Sequence, residues 1–233
     1  MRVVKSPNYN ERSDAGIKYL IMHYTGMASG AEALIRLCDA KSEVAAHYLI
    51  EENGEVYSLV DESHRAWHSG VSKWEDDEDI NDRSIGIELV NPGHPYPGYE
   101  SDYVSFPGAQ MESLISLSQE IIGRHKIKPW HVLGHSDVAW RRKIDPGELF
   151  DWKMLSENGV GCWPKRENDN IEVSSEHFLT GLKFYGYSTE GCHENQTEII
   201  SAFQRHFRQS NFSGVLDSET MGILMDLLKQ KIS

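Results

Sequence analysis

The sequence predicts an α/β domain followed by a small three-helix domain, and three observations support this. Short apolar runs of strand length, such as 19–24 and 85–90, alternate with segments of helical periodicity. An Asn-Gly pair at 53–54 lies between two alternating runs, which is typical of a β-hairpin. The last sixty residues contain only helical patterns. The predicted division has three parts: a first domain at 1–160, a linker at 161–173 and a second domain at 174–233.

The elements of the first domain are predicted from periodicity and from turn residues. In order they are an extended entry segment (1–16), a strand (19–24), a helix (31–40), a hairpin (44–50 and 55–60), a strand (85–90), a helix (110–125), a short strand (131–133) and a helix (148–157). The segment 91–108 contains four prolines and is predicted to be irregular. The segment 61–83 is rich in Trp, His and acidic residues, and we expect the wall of a groove there, with disorder as the alternative.

The second domain is predicted as three helices at 175–185, 194–208 and 217–229. The middle pattern carries Ile199, Ile200, Phe203 and Phe207 at helical spacing, which favours a hydrophobic core over a ligand site.

Composition and charge exclude several classes of function. Lys and Arg number 23 against 36 Asp and Glu, so the net charge of −13 argues against a nucleic-acid partner. No apolar run approaches the roughly 18 residues of a membrane span. The three cysteines are widely spaced and form no CxxC pair, which predicts neither a thiolate metal site nor a disulfide framework. We expect a monomer without a transmembrane segment.

Three residues have the character of zinc ligands. His23 ends the first predicted strand, whereas His135 and Asp145 lie together in the segment 134–147. A catalytic zinc needs three protein ligands and one open position, and imidazole and carboxylate groups suit it. Alternatively, His23 is a core histidine and Asp145, followed by Pro146, caps a helix. The coincidence of all three at the ends of elements favours the metal site.

Two further residues have the character of catalytic groups. Glu88 interrupts the apolar strand 85–90, where a carboxylate is costly unless it is paired or functional. It is a candidate general base, with a buried salt bridge as the alternative. Lys143 precedes Asp145 by two residues, so in extended chain both side chains point to the same side and the ammonium is placed to stabilise an oxyanion. The alternative for Lys143 is a solvated surface lysine.

Four other residues are candidates for substrate binding. Arg142 is a candidate clamp for a substrate carboxylate. We expect the others to line the cleft: His47, Trp67 and His68.

Several blocks of sequence, in a fixed order, resemble those of a known family. They are Met22-His23-Tyr24-Thr25, Ala45-Ala46-His47-Tyr48-Leu49-Ile50, Arg65-Ala66-Trp67-His68-Ser69-Gly70-Val71-Ser72, Asn81-Asp82-Arg83-Ser84-Ile85-Gly86-Ile87-Glu88-Leu89-Val90-Asn91, Gly134-His135-Ser136-Asp137 and Arg142-Lys143-Ile144-Asp145-Pro146-Gly147. The chain resembles the zinc-dependent N-acetylmuramoyl-L-alanine amidases of the type-2 amidase family, in particular the AmiD-like branch. The resemblance covers roughly residues 15–160, and the tail resembles a three-helix peptidoglycan-binding module.

The resemblance implies a fold, a reaction and a set of roles. The fold is a mixed β-sheet flanked by helices, as in peptidoglycan recognition proteins. His23, His135 and Asp145 would bind Zn²⁺, and Glu88 and Lys143 would assist hydrolysis. The bond cut would join N-acetylmuramic acid, or its 1,6-anhydro form, to the L-alanine of the stem peptide in peptidoglycan or in muropeptides.

The sequence also departs from the resemblance. Some amidases of this fold carry Tyr where this chain has Ala46, which leaves more of the proton chemistry to Glu88. The first residues contain no lipoprotein cysteine. We expect the protein in the cell envelope, in the periplasm or at the outer membrane, if a leader was removed, and otherwise in the cytoplasm.

Two other functions compete with this one. A non-catalytic peptidoglycan recognition protein on the same fold would lack a zinc ligand, whereas all three residues are present here. A zinc hydrolase that cuts another amide, such as a peptidase, would not be expected to carry the family's blocks.

Overall fold

The structure of the chain, a computed structural model, describes residues 1–13, 15–165, 171–192 and 196–233. In these residues the strands are β1 (Arg2–Val3), β2 (Tyr9–Glu11), β3 (Tyr19–Tyr24), β4 (Tyr48–Ile50), β5 (Val56–Ser58), β6 (His64–Ala66), β7 (Ser84–Leu89) and β8 (Val132–Gly134). The helices are α1 (Gly30–Cys38), α2 (Ile80–Arg83), α3 (Gly108–His125), α4 (His135–Val138), α5 (Trp152–Glu157), α6 (Ser175–Tyr185), α7 (Thr197–Phe207) and α8 (Ser218–Ile232). Two short 3₁₀ helices cover Ala40–Ser42 and Pro129–His131.

The main sheet is mixed and has the strand order β1-β5-β4-β7-β3-β8. Its centre is parallel, because β3 runs parallel to both β7 and β8, and β4 runs parallel to β7. The hairpin partners β4 and β5 are antiparallel. A parallel strand needs cover on both faces, and this explains why β3 and β7 consist almost entirely of buried side chains. The predicted fold class, a mixed sheet flanked by helices with further helices at the C-terminal end, is confirmed.

The hairpin predicted from Asn53-Gly54 is present. The Asn53 side chain accepts a hydrogen bond of 2.9 Å from the backbone N–H of Glu55. Gly54 has φ +85°, and a Cβ there would lie 2.6 Å from the carbonyl oxygen of Ala109. Glycine therefore serves both the turn and the close approach of α3.

Each face of the sheet has its own hydrophobic cluster. On one face, Leu20 and Met22 pack with the apolar side of α3 and with Phe150. On the other face, Tyr19 and Ile21 belong to a cluster that continues into α6, α7 and α8. The C-terminal helices therefore share a core with the sheet.

Several elements differ from the sequence prediction. The entry segment and the segment 61–83 contain short strands, β2 and β6, that pair with each other. Trp74, which we expected in a groove wall, is fully buried, and its ring packs edge-on against Tyr187 at 4.7 Å. The helix expected at 148–157 begins only at Trp152. Parts of the predicted linker (166–170) and of the second C-terminal helix (194–195) lie outside the described residues.

The structure also describes the three cysteines and the lengths of the apolar helices. Cys38, Cys162 and Cys192 are free cysteines, as the spacing predicted. Among the described helices, none is long and apolar enough to cross a membrane.

Candidate metal centre

The candidate site lies at the carboxyl ends of three neighbouring parallel strands. In the register of β3 and β7, His23 is paired directly with Glu88. In the register of β3 and β8, Met22 is paired with Gly134, so His135 follows at the level of His23. Side chains at the same level of adjacent parallel strands point to the same face, and sheets of this kind bind ligands beyond their carboxyl ends.

Asp145 reaches the site because its loop folds back over the start of α4. The backbone N–H of Ser136 donates to the carbonyl oxygen of Asp145 over 2.9 Å. The carboxylate oxygen Oδ2 of Asp145 then lies 3.0 Å from Nδ1 of His23 and 3.1 Å from Nδ1 of His135. The two Nδ1 atoms are 3.0 Å apart, and all three residues are buried. The structure therefore brings together the three residues selected from the sequence as metal ligands.

The tautomer of His135 follows from its other ring nitrogen. Nε2 of His135 lies 3.0 Å from the carbonyl oxygen of Ser69, which can only accept a hydrogen bond. Nε2 therefore carries a proton, and in the neutral tautomer that this contact selects Nδ1 presents its lone pair to the site.

The tautomer of His23 follows from a chain of three hydrogen bonds. The Ser84 hydroxyl donates to the carbonyl oxygen of Ile80 over 2.6 Å, so its oxygen accepts from Nε2 of His68 over 3.0 Å. Nδ1 of His68 is then an acceptor, and Nε2 of His23 donates to it over 3.0 Å. His23 thus also directs the lone pair of Nδ1 into the site. Outer contacts of this kind commonly orient histidines that bind metals.

Two imidazole lone pairs and a carboxylate oxygen converge here within about 3 Å, an arrangement that is repulsive unless a cation lies between them. Burial is the main cause that lowers the pKa of His23 to about 4, so its ring is neutral at pH 7. The pKa of the Asp145 carboxyl lies well below its usual range although burial opposes its ionisation, so this group is the anion of the set. The donor set of two neutral nitrogens and one anionic oxygen fits a divalent transition metal.

Glu88 lies beside this group and faces a cavity. The cavity has a volume of about 540 Å³ and is lined by His23, His135, Asp145, Glu88 and Lys143 among others. Oxygen Oε2 of Glu88 is buried and has no hydrogen-bond partner among the described residues. Burial, with the nearby negative charge of Asp145, raises the pKa of Glu88 well above its usual range, and Lys143 opposes this rise. The carboxyl group is therefore positioned to accept a proton inside the cavity.

The guanidinium of Arg142 is bound by backbone carbonyl oxygens of this chain. Its Nε donates to the carbonyl oxygen of Val71 over 2.9 Å, and its terminal nitrogen donates to the carbonyl oxygen of Ser69. The guanidinium therefore fastens the loop after β6, although it also lines the cavity. Lys143 lies in the cavity wall, as expected from its spacing to Asp145.

The other predicted substrate residues divide into two groups. His68 lines the cavity, but its ring nitrogens are used by His23 and Ser84. His47 and Trp67 are not among the described residues that line it. His47 is buried between strands and accepts from the backbone N–H of Gly86, and the Trp67 indole N–H donates to Asn10.

The structure also adds residues to the site that sequence reasoning did not select. The Tyr24 hydroxyl lies 3.1 Å from Nδ1 of His94, and Nε2 of His94 lies 3.0 Å from Glu148. Tyr24 and His94 line the cavity. The position of Tyr24 directly after a strand-end histidine was the available indication, whereas His94 lies in an irregular segment without periodicity.

The known proteins that this chain resembles are amidases that act on N-acetylmuramoyl-L-alanine or its 1,6-anhydro form. The profile of the Amidase_2 family, described as N-acetylmuramoyl-L-alanine amidase, matches residues 12–148. The N-acetylmuramoyl-L-alanine amidase AmiD of Escherichia coli K12 is 37% identical over 232 residues, which cover 92% of this chain and 83% of that protein. The 1,6-anhydro-N-acetylmuramyl-L-alanine amidase AmpD of Enterobacter cloacae is 41% identical over 112 residues, which cover 48% of this chain and 55% of that protein.

Solved structures extend the similarity to the whole chain. The complex of E. coli AmiD with anhydro-N-acetylmuramic acid-L-Ala-D-γ-Glu-L-Lys superposes with a TM-score of 0.84 at 34% identity, and covers 94% of this chain and 93% of that one. AmpDH3 of Pseudomonas aeruginosa in complex with anhydromuramic pentapeptide gives a TM-score of 0.85 at 30% identity and covers 99% of both chains. An AmpD derivative gives a TM-score of 0.58 at 31% identity and covers 67% of this chain and 93% of that one.

Proposed function

This chain belongs to the N-acetylmuramoyl-L-alanine amidase family, and we propose that it hydrolyses the amide bond between N-acetylmuramic acid, or its 1,6-anhydro form, and the L-alanine of the peptidoglycan stem peptide. The chain is a hydrolase of muropeptide amide bonds, of the type used in cell-wall degradation and recycling. The assignment of the reaction to particular residues, and of the metal to zinc, is our proposal.

The observation that supports this proposal most directly is the convergence of His23, His135 and Asp145. Their three donor atoms lie within 3.1 Å of one another at the carboxyl ends of the parallel strands, and all three residues line the cavity. The neutral, oriented histidines and the ionised carboxylate match what a divalent metal requires of its ligands. Among divalent metals, Zn²⁺ is well suited to a site made of two imidazoles, one carboxylate and an open position.

The residues of the site would divide the reaction between them. When bound by these three side chains, Zn²⁺ would supply a Lewis acid that activates water and polarises the scissile carbonyl. Glu88 would take the proton of the attacking water and then deliver it to the leaving amide nitrogen. The ammonium of Lys143 would stabilise the negative charge that develops on the carbonyl oxygen.

The cavity would hold the substrate on both sides of the scissile bond. Its volume of about 540 Å³ is in the range of ligand sites, and two similar structures contain anhydromuramyl peptides. Tyr24 and His94 would form one wall and the segment around Arg142 the other. Because peptidoglycan belongs to the cell envelope, we propose that the protein acts there, with the cytoplasm as the alternative.

The test is mass spectrometry of purified muropeptides incubated with the full-length protein. We expect release of a free stem peptide that begins with L-alanine. The release should stop when a chelator removes the metal and return when Zn²⁺ is added. Both 1,6-anhydro and intact muramyl substrates should be compared, since the proposal includes both forms.

The Glu88→Gln variant serves as the control, because it keeps the metal ligands and removes only the proposed base. Intact substrate with zinc-loaded wild-type protein would overturn the proposal and favour a recognition protein. Cleavage of a different amide bond would favour a peptidase.

A further inference from the structure

The residue Asp137 is fully buried two positions after His135, and it carries three hydrogen bonds. Its Oδ2 accepts from the backbone N–H of Gly134 over 2.7 Å and from Nδ1 of His206 over 2.7 Å. Its Oδ1 accepts from the hydroxyl of Tyr187 over 2.6 Å. A carboxylate with no exposure to water depends on such donors, and two of the three come from the C-terminal helical region.

The two donors of the C-terminal region are held rigidly. The imidazole of His206 on α7 stacks on Trp152 with ring centres 3.8 Å apart, and on Phe207 at the same distance. Tyr187 follows α6, and its ring packs on Trp74 in the shared core. Neither side chain can turn away without breaking buried ring contacts.

On the other side, Asp137 fixes the segment that carries two of the three candidate metal ligands. Its bond to the N–H of Gly134 closes the first turn of α4, which begins with His135. Gly134 in turn lies against Pro146, the residue after Asp145, because a Cβ on Gly134 would come within 2.8 Å of the Pro146 ring. A shift of Asp137 would therefore displace both His135 and Asp145.

We propose that His206 and Tyr187 are positioning residues for the metal centre, which they act on through Asp137. The C-terminal helical region would then hold two of the candidate metal ligands in position, in addition to any role in binding the cell wall. The inference rests on the proposed metal site. It makes a prediction about metal affinity that does not depend on substrate.

The test compares Zn²⁺ affinity of full-length variants by competition with a chromophoric chelator. Tyr187→Phe removes one hydroxyl and keeps the ring, whereas His206→Ala removes donor and stacking together. We expect each to weaken Zn²⁺ binding about 10-fold, the size of effect seen when outer contacts of metal ligands are removed. His206→Asn keeps a donor near the position of Nδ1 and should restore affinity to within about 3-fold of wild type. The visible spectrum of the Co²⁺-loaded protein should change in parallel.

Phe178→Leu is the matched control, because Phe178 lies in the same helical core and packs on Phe203, whereas the three hydrogen bonds to Asp137 come from other residues. It should lower the melting temperature and leave the Zn²⁺ affinity unchanged. The inference would be overturned if the variants kept wild-type Zn²⁺ affinity, or if the control lost as much affinity as Tyr187→Phe. Neither result would contradict the proposed amidase function. If His206→Ala does not fold, Tyr187→Phe alone decides. A wild-type protein that binds no metal would overturn both proposals.

Discussion

The carboxylate of Glu88 occupies a position that folding alone does not favour. One of its oxygens is buried without a partner among the described residues, and its strand neighbours are apolar. An unpaired buried carboxyl group destabilises a protein, and such groups are found mainly where function requires them. The same feature raises its pKa, which suits a group that must both accept and release a proton.

Replacement of Glu88 by Gln should therefore separate activity from stability. We expect kcat to fall by about 10²- to 10⁴-fold, the usual contribution of a general base. The melting temperature should stay the same or rise, because a buried ionisable group is replaced by a neutral one of equal size. Measured kcat, Zn²⁺ affinity and melting curves check this, and an active variant would remove Glu88 from the mechanism.

At the same scale, His68 should act on the metal through His23. Replacement of His68 by Ala removes the acceptor that orients His23, and we expect a loss of Zn²⁺ affinity of about 10- to 100-fold. Ser84→Ala removes only the contact that fixes the His68 tautomer and should cause a smaller loss. Titration with Zn²⁺ checks that His68→Ala loses more affinity than Ser84→Ala. Equal affinities of the two variants would contradict the proposed chain of hydrogen bonds.

At the scale of the element, strand β7 leaves room for the ring of His68. A Cβ on Gly86 would lie 2.5 Å from Cγ of that ring, so Gly86→Ala must displace it. We expect a loss of stability of about 1–3 kcal/mol from overpacking, together with weaker Zn²⁺ binding. Chemical denaturation and metal titration measure the two effects.

Gly123 on α3 is the matched control for that prediction, because a Cβ there would meet no atom within 4 Å beyond its own helix, among the residues that the structure describes. Gly123→Ala should stabilise the protein by about 0.5–1 kcal/mol, since alanine is the better helix former. If Gly86→Ala changed neither the stability nor the Zn²⁺ affinity, strand β7 would have moved to make room for the added methyl group, which would contradict the prediction.

The elements that the sequence predicts well are those whose cause is local. The apolar run at Tyr19–Tyr24 and the helical pattern at Ser175–Tyr185 have the bounds that periodicity suggested. The strands β2 and β6 were not predicted, because β2 is exposed and β6 is short and only partly buried, so their pairing leaves no alternating pattern of burial. The helix predicted from residue 148 starts later, because Asp145 turns towards the histidines instead of capping a helix.

The site was predictable in its centre and less so at its margin. Glu88 interrupts an apolar strand, His23 lies near the end of one and His135 follows one, and such positions are visible in a sequence. Asp145 was selected from its place in the same segment as His135, 134–147. Whether a polar side chain such as Arg142, His47 or Trp67 meets a substrate or the protein's own backbone depends on contacts between distant segments. Arg142 binds carbonyl oxygens more than seventy residues away, which no local pattern encodes.

For the whole molecule, an ion cluster around Glu75 joins the last helix to the sheet. Glu75 lies 2.7 Å from Lys231 on α8, 2.9 Å from Lys18 and 3.3 Å from His131. Burial alone would raise the pKa of Glu75, but hydrogen bonds from His131, Lys231 and Lys18 hold it well below its usual range. Because the pKa is lower in the folded state, the stabilisation is complete above the ordinary glutamate pKa and is lost as the pH falls below it.

Glu75→Gln should therefore cost on the order of 2 kcal/mol near neutral pH and flatten the fall of stability below about pH 4.5. Urea unfolding of the variant and the wild type at a series of pH values measures this. Parallel curves for the two proteins would contradict the role of Glu75. Glu43→Gln, at an exposed position, provides a control with the same change of charge.

The shared core of the sheet and the C-terminal helices has a consequence for any shortened chain. Trp140, Trp74 and Val138 are buried in one cluster with Phe203, Phe207 and Tyr187. A protein of this fold that ended before α6 would present much of that surface to water, and exposed apolar patches of such size promote self-association. Natural or engineered truncation at this point therefore requires compensating polar substitutions on the sheet side, without which the product should aggregate.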